Sequence, residues 1–357
     1  MANKLTCKHC GYKSGNLYQH LVEAHGGVDG AKAYHDEHGI DAVIHSSLQE
    51  KFLGAKMKIL ETEVSVRAVS EALKTYVPTI EDAYHFQPFA ADLLLDLTED
   101  RTVPTMLTGH TGTGKSSLYA QIAARLNQPV LRVNMNNQAT ISDFVGLWTV
   151  KAGETIWVDG ALPWCMKNGV WLIIDEIDFA EPAILSVLNS VLERGGMLHL
   201  KEKGDEVVRA HKNFRICATA NTAGCMSEFR HLYQGTNILN EAFMDRWRVY
   251  VVAYMEAAAE AAVLKNTVTG MTERIAASMV DIANACRKSF VEEDLASSFS
   301  TRRLLDWGYL LVRYAGKYRA EAPLKAAEAA IFSKVSKEDR IAIEGIIQRK
   351  LKTSRSS

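Results

Sequence analysis

The feature that most constrains the fold is a glycine-rich stretch at residues 105–117. Within it, Gly109-His-Thr-Gly-Thr-Gly114-Lys115-Ser116 fits G-x-x-x-x-G-K-[ST], the pattern of a phosphate-binding loop. Glycines let the backbone bend so that successive N–H groups point at one anion. Residues 103–108 read as a strand, and the apolar residues after the loop recur at helical spacing. This order places phosphates at a helix N-terminus, where orphan N–H groups favour negative charge.

The side chains of the loop predict a bound nucleoside triphosphate with a divalent cation. Lys115 can reach the β- and γ-phosphates, and the Ser116 hydroxyl can bind Mg²⁺. The predicted ATP-binding residues are Gly109, His110, Thr111, Gly112, Thr113, Gly114, Lys115, Ser116 and Ser117.

Two carboxylates follow a second apolar run. Residues 170–174 are Val-Trp-Leu-Ile-Ile, typical of a buried parallel strand, and Asp175 and Glu176 come directly after them. Ligands gather at the carboxyl ends of such strands. Asp175 is therefore predicted to hold the Mg²⁺ shell, and Glu176 to orient and deprotonate the attacking water.

Two further candidates occur later in the chain. Asn221 ends a predicted strand at 214–221, where its amide can bond the attacking water or the γ-phosphate. Arg246 lies in Asn240-Glu-Ala-Phe-Met-Asp-Arg-Trp, and arginine suits the charge that develops on a transferring phosphoryl group.

Alternating strand and helix patterns predict an α/β fold with a parallel sheet covered by helices on both faces. Residues 255–357 read as a helical lid domain, in which Arg302 begins a helix that could face the nucleotide. Residues 46–80 show an apolar stripe at helical spacing and are predicted to be a helical linker. The nucleotide-binding core is assigned to 81–254.

Residues 1–45 carry a candidate zinc site. Cys7 and Cys10, then nine residues, then His20 and His25 supply four ligands of the kind that bind tetrahedral Zn²⁺. The segment resembles the short zinc fingers of Ros/MucR regulators. In the structural interpretation, zinc folds a segment that is too small to have its own core and has no further role. With Lys4, Lys8 and Lys13 against Glu23, the finger has a weak positive surplus, so docking to protein is at least as well supported as binding to DNA.

Composition limits the partners. The 357 residues have a formal net charge of −1, so no global field attracts nucleic acid or a membrane surface. The longest apolar runs are too short to span a bilayer, and the N-terminus lacks the apolar core of a secretory signal. The cytoplasm is the expected compartment.

Together these segments resemble the MoxR branch of AAA+ ATPases, and within it the CobS-type subunits of aerobic cobaltochelatase. The matching segments are 109–116, 124–127 with 132–134, 160–164, 218–222, and 235–247. The resemblance implies a ring, commonly a hexamer, with ATP at subunit interfaces. It also implies that Asn221 is sensor 1, Arg246 the arginine finger for the neighbour's ATP, and Arg302 sensor 2.

The same resemblance places a helix-2 insertion at 146–160, a pre-sensor-1 insertion at 198–210, and a von Willebrand factor A domain protein (CobT-like) as a partner. It implies chaperone-type remodelling of a partner protein or complex. Two alternatives stay open. One is a nucleic-acid-directed ATPase recruited by the zinc finger, which the neutral charge disfavours. The other is a nucleotide-gated scaffold, which would have no use for Glu176.

Overall fold

The computed structural model describes residues 5–7, 10, 13–14, 56–60, 62–99, 103–135, 140–221, 237 and 239–356. They form two compact units. One comprises Met1–Pro78 with Ala123–Pro129, and the other comprises Thr79–Ile122 with the chain from Val130 onward. No helix in these described ranges has the length and apolar character needed to cross a membrane.

The first unit contains two small antiparallel ribbons and one short helix. Strands β1 (Leu5–Thr6) and β2 (Lys13–Ser14) pair with each other, as do β3 (Lys56–Ile59) and β4 (Thr62–Ser65), and α1 (Glu71–Lys74) follows. The segment after β4 is joined to 123–129. The Asn127 side chain donates to the Arg67 carbonyl at 2.8 Å, and the Arg67 N–H donates to the Leu126 carbonyl at 2.9 Å.

The helical linker predicted for 46–80 is wrong over its middle. Residues 56–65 form the β3–β4 ribbon, in which Met57 pairs with Val64 and Ile59 with Thr62. Apolar residues there alternate on either side of Leu60, which turns the chain with φ of 48°. Met57 and Val64 are seven residues apart, which fits two turns of a helix as well as facing positions on the two strands of a hairpin. The β-branched residues Ile59, Thr62 and Val64 favour the strands.

The second unit is organised around a parallel five-stranded sheet in the order β13-β5-β12-β9-β6, which confirms the predicted α/β fold. The strands are β5 (Thr105–Thr108), β6 (Val130–Asn134), β9 (Trp171–Asp175), β12 (Ile216–Ala220) and β13 (Arg248–Val251). The three inner strands, β5, β12 and β9, are buried at every residue. A strand covered on both faces must be apolar throughout, which explains its continuous pattern.

Helices flank this sheet, and local signals set several of their ends. They are α2 (Ala90–Thr98), α3 (Lys115–Arg125), α4 (Ile141–Val145), α5 (Ala161–Asn168), α6 (Pro182–Leu192) and α7 (Glu241–Met244). Thr140 and Asp143 form a capping box at α4, and Pro182 occupies the first turn of α6. The helix α5 ends at Gly169, which has the left-handed φ of 65°.

Two hairpins project from the core where the family resemblance places insertions. The first is β7 (Gly146–Lys151) with β8 (Glu154–Asp159), and the second is β10 (Met197–Leu200) with β11 (Glu206–Arg209). Lys167 lies between them and bonds Asp159 at 2.7 Å and Glu206 at 2.8 Å. The Trp148 indole is half exposed and donates to the Glu202 carbonyl at 2.8 Å, so the hairpins contact each other directly.

The chain after residue 256 is helical, as predicted. It forms α8 (Ala257–Thr267), α9 (Glu273–Val291), α10 (Thr301–Tyr318), α11 (Ala322–Ala330) and α12 (Lys337–Ser356). Thr272 caps α9 and Ser300 caps α10, each by accepting a backbone N–H. Buried side chains from all five helices make one apolar core, and we call this domain the lid.

Candidate nucleotide-binding site

The predicted phosphate loop joins β5 to α3, in the required order of strand, loop and helix. Gly109, Gly112 and Gly114 have φ of 149°, 77° and 91°, a region that side-chain-bearing residues rarely adopt. A Cβ on Gly109 would lie 2.2 Å from the Val252 carbonyl oxygen, so the loop passes close to the end of β13. The three glycines are therefore needed for the turn, and Gly109 is needed for its close packing as well.

Lys115 lies beneath the loop and is nearly buried, with 8% exposure. Its ammonium donates to the carbonyls of Gly109 at 2.7 Å and His110 at 3.0 Å, and to Asn221 Oδ1 at 3.1 Å. Burial lowers the pKa of Lys115 from 10.5 to about 8, although the carboxylates of Asp178, Asp175 and Glu176 oppose the shift. The loop thus contains a cation whose bonds to neutral carbonyls can be exchanged for bonds to an anion.

Asp175 ends β9 and faces the loop. Its Oδ1 accepts from Ser116 Oγ at 2.6 Å and from Thr219 Oγ1 at 2.9 Å, while its Oδ2 contacts Arg132 Nε. The carboxylate is 1% exposed, and these donors fix its orientation. Carboxylate and hydroxyl oxygens are the donors that Mg²⁺ prefers, so Ser116 and Asp175 fit that ion.

Glu176 and Asn221 follow neighbouring strands and reach the same edge of the sheet. Glu176 has left-handed φ of 56°, and its N–H donates to Thr219 Oγ1 at 3.1 Å. The N–H of Asn221 donates to the buried Asp178 at 3.0 Å, and Asn221 Oδ1 accepts from Thr111 as well as from Lys115. Asn221 therefore contacts the loop, and Glu176 lies at the same edge of the sheet, as the strand-end argument expects.

A cavity of about 550 Å³ lies beside the loop, between the core and the lid. The core lines it with loop residues 112–114 and 117 and with segment 81–85, and the lid lines it with Thr267, Thr301, Arg302 and Leu305. Its size is that of a site for a small ligand. Arg302, predicted from the sequence to face the nucleotide, does line this cavity.

Comparisons with known proteins agree with this geometry. The profile of the family described as AAA domain (dynein-related subfamily) matches residues 104–247, and that of the CbbQ/NirQ/NorQ C-terminal domain matches 260–349. Aerobic cobaltochelatase subunit CobS of a Sinorhizobium species is 34% identical over 258 residues, which are 70% of this chain and 76% of that subunit. The chain belongs to the MoxR-type AAA+ ATPases.

Other relatives match a shorter part of the chain. Protein NorQ of Paracoccus denitrificans is 30% identical over 146 residues, which are 41% of this chain and 50% of NorQ. Midasin of Giardia intestinalis is 33% identical over 147 residues, which are 41% of this chain but 3% of midasin. The likeness of this MoxR-type ATPase to CobS therefore covers more of the chain than its likeness to NorQ or midasin.

Arg246 is not brought to the cavity. It follows α7, where its guanidinium bonds Glu193 at 2.7 and 2.8 Å and contacts the Ala242 carbonyl. It is absent from the residues that line the cavity.

The zinc ligands can be followed only in part. Cys7 and Cys10 lie between the paired strands β1 and β2, the first buried and the second exposed. His20 and His25 lie outside the described residues. Within the described ranges, no three His, Cys, Asp or Glu side chains cluster as a metal site.

Several residues of the site were missed by sequence reasoning. Arg132 and Thr219 hold Asp175 because β6 and β12 flank β9, and only strand order reveals that neighbourhood. Tyr254 donates its hydroxyl to the Thr111 carbonyl at 2.9 Å, and its ring lies parallel to His110 with centroids 6.2 Å apart. Burial first, and then the charge of Lys115, lowers the pKa of His110.

Proposed function

We propose that this protein is a ring-forming ATPase that couples hydrolysis of Mg-ATP to the remodelling of a partner protein or complex. The observation that carries the proposal is the hydrogen-bonded cluster of the loop, Lys115 and Asp175, which lies next to a cavity lined by loop residues and by Arg302. A binding module without turnover would not require Glu176 at that edge of the sheet.

The proposed chemistry assigns one task to each side chain. The nine loop residues 109–117 bind ATP, and Lys115 exchanges its carbonyl partners for the β- and γ-phosphates. Ser116 and Asp175 hold Mg²⁺, which neutralises charge on the phosphates when bound. Glu176 takes the proton of the attacking water, and Asn221 orients that water or the γ-phosphate.

Arg246 is proposed to act on the ATP of a neighbouring subunit, in a ring that is commonly hexameric in this family. Its contacts are with Glu193 and the Ala242 carbonyl rather than with the phosphate loop or Asp175, which supports that assignment. The carboxylate of Glu193 holds the guanidinium at a defined place on the surface. Arginine stabilises phosphoryl-transfer transition states when supplied in trans.

The partner is proposed by similarity to CobS, a subunit of aerobic cobaltochelatase. We propose that the protein is a motor subunit of the chelatase type that works with a von Willebrand factor A domain protein. We propose residues 81–254 as the core, with its two hairpin insertions, and 255–357 as the lid.

Residues 1–45 are proposed to form a zinc finger with Cys7, Cys10, His20 and His25 as ligands. Two cysteines between paired strands support the first half of that site. The net charge of −1 favours docking to protein over recruitment to DNA.

The test is ATP binding, turnover and assembly of the purified full chain with Mg²⁺, with Lys115→Ala as the matched control. We expect the natural chain to bind and hydrolyse ATP and to form rings, and Lys115→Ala to lose binding. A natural chain that neither binds ATP nor changes its assembly would contradict the proposal. Elemental analysis of the same sample should find about one zinc per chain, lost in Cys7→Ser.

A further inference from the structure

The lid contains a charged pair that the proposed chemistry does not use. Glu260 on α8 is fully buried, and Arg287 on α9 is 7% exposed. The two guanidinium nitrogens bond the two carboxylate oxygens at 2.6 and 2.7 Å, and Asn284 accepts a further bond from Arg287 at 2.8 Å. A buried pair gains little over apolar packing, so its retention suggests a task that needs defined geometry.

One side of this pair fixes the start of α10. The Thr301 hydroxyl donates to Glu260 Oε1 at 2.6 Å, and Arg287 Nε donates to the Phe299 carbonyl at 2.8 Å. Thr301 is the first residue of α10, and the next residue is Arg302, which lines the cavity. The pair therefore holds both flanks of the cap from which Arg302 extends.

The other side of the pair reaches the phosphate loop. The Arg287 guanidinium lies 3.9 Å from the centre of the Tyr254 ring, and that ring is parallel to the imidazole of His110, with centroids 6.2 Å apart. The Tyr254 hydroxyl bonds the Thr111 carbonyl. A continuous set of contacts thus leads from the loop to the residue before Arg302.

We propose that Glu260 and Arg287 are positioning residues that set the place of Arg302 relative to the phosphate loop, through Thr301 on one side and Tyr254 on the other. The proposal rests on the proposed ATPase function, and it takes Arg302, which lines the cavity, to contact the terminal phosphate of ATP. It predicts that weakening the contacts changes how well the site distinguishes ATP from ADP. A pair that only stabilised the lid would affect both nucleotides alike.

The first test is a double-mutant cycle on the full chain with Mg²⁺, using Thr301→Val and Arg302→Ala and measuring the Kd of ATP and of ADP. Valine keeps the volume of threonine but cannot donate to Glu260. We expect Thr301→Val to weaken ATP binding about threefold to tenfold and ADP binding less than about twofold. In the Arg302→Ala background, Thr301→Val should have no further effect, because its effect passes through Arg302.

The second test compares two tyrosines that each donate a hydroxyl to a backbone carbonyl. Tyr254→Phe removes the bond to Thr111, whereas Tyr309→Phe removes a 3.0 Å bond to Thr267 within the lid. We expect only Tyr254→Phe to lower the preference for ATP. The inference would be overturned if Tyr254→Phe and Tyr309→Phe lowered the preference for ATP equally. It would also be overturned if the losses of ATP affinity in Thr301→Val and Arg302→Ala multiplied in the double variant. A natural chain that binds no ATP would instead reject the proposed function.

Discussion

The two walls of the cavity are built differently. On the core side the phosphate loop supplies consecutive residues, whose glycines turn the backbone at positive φ, and segment 81–85 lies beside it. The lid wall consists of side chains from separate helices, held by a buried ion pair and by the cap of α10. This difference suggests that the core carries the chemistry, whereas the lid senses which nucleotide is present.

The largest expected effect tests that division. Glu176→Gln removes the proposed base while leaving the loop intact, so turnover should fall by about a hundredfold or more with ATP affinity unchanged. Arg302→Ala on the lid should instead weaken ATP binding by about tenfold. Steady-state turnover and equilibrium binding of ATP, measured on both variants, check the contrast.

The division would be wrong if Glu176→Gln weakened ATP binding as much as Arg302→Ala does. Turnover close to that of the natural chain in Glu176→Gln would remove the proposed base altogether.

The same difference explains what could be predicted from the sequence. Lys115 and Ser116 are contiguous with the glycines, and Asp175 and Glu176 follow an apolar run, so local pattern was enough. Contacts such as that of Tyr254 with His110 join segments that are far apart in the chain. No spacing in the sequence marks those contacts, because they depend on the pairing of β13 with β5, which brings the chain after β13 to the loop.

Hydrophobic periodicity does not distinguish a helix from a strand when the element is short. Strands β5, β9 and β12 and helix α3 were predicted because a longer apolar run or a helical period marks each segment. The β3–β4 ribbon was predicted as helix, since its strands of four residues contain too few apolar positions to separate period two from period 3.6.

An intermediate effect is expected where the loop touches the lid. A Cβ on Gly112 would lie 2.2 Å from Ser300 Cβ, whereas a Cβ on Gly114 would have no atom within 4 Å. Both glycines have positive φ, so alanine costs about 1–2 kcal/mol at either position. Gly112→Ala must also displace the cap of α10, and its total loss of unfolding free energy should be about 2–4 kcal/mol.

Chemical denaturation of the nucleotide-free variants, followed by circular dichroism, measures the two losses. Hydrogen exchange at the start of α10 locates the difference and should rise in Gly112→Ala alone. Equal losses and equal exchange would mean that the lid does not depend on its contact with the loop.

The smallest expected effect is the pH dependence of the core wall. Because the pKa of Lys115 is about 8 before ATP binds, its ammonium loses its proton as pH rises through that value. ATP favours the charged form, so above pH 8 the protein must take up a proton on binding. ATP affinity should therefore be constant between about pH 7 and 7.5 and fall about threefold to tenfold by about pH 9.

Calorimetry in buffers of different ionisation enthalpy measures the proton uptake, which should approach one proton per ATP at the higher pH. Lys115→Arg is the matched control, because a guanidinium stays charged over this range. Its affinity for ATP should be weaker but independent of pH. The carboxylates of Asp175, Asp178 and Glu176 oppose the lowered pKa, and the phosphates of ATP would oppose it further. A fall in affinity of the same size in Lys115→Arg would assign the pH dependence to another group, and the lid wall would then be the place to search for it.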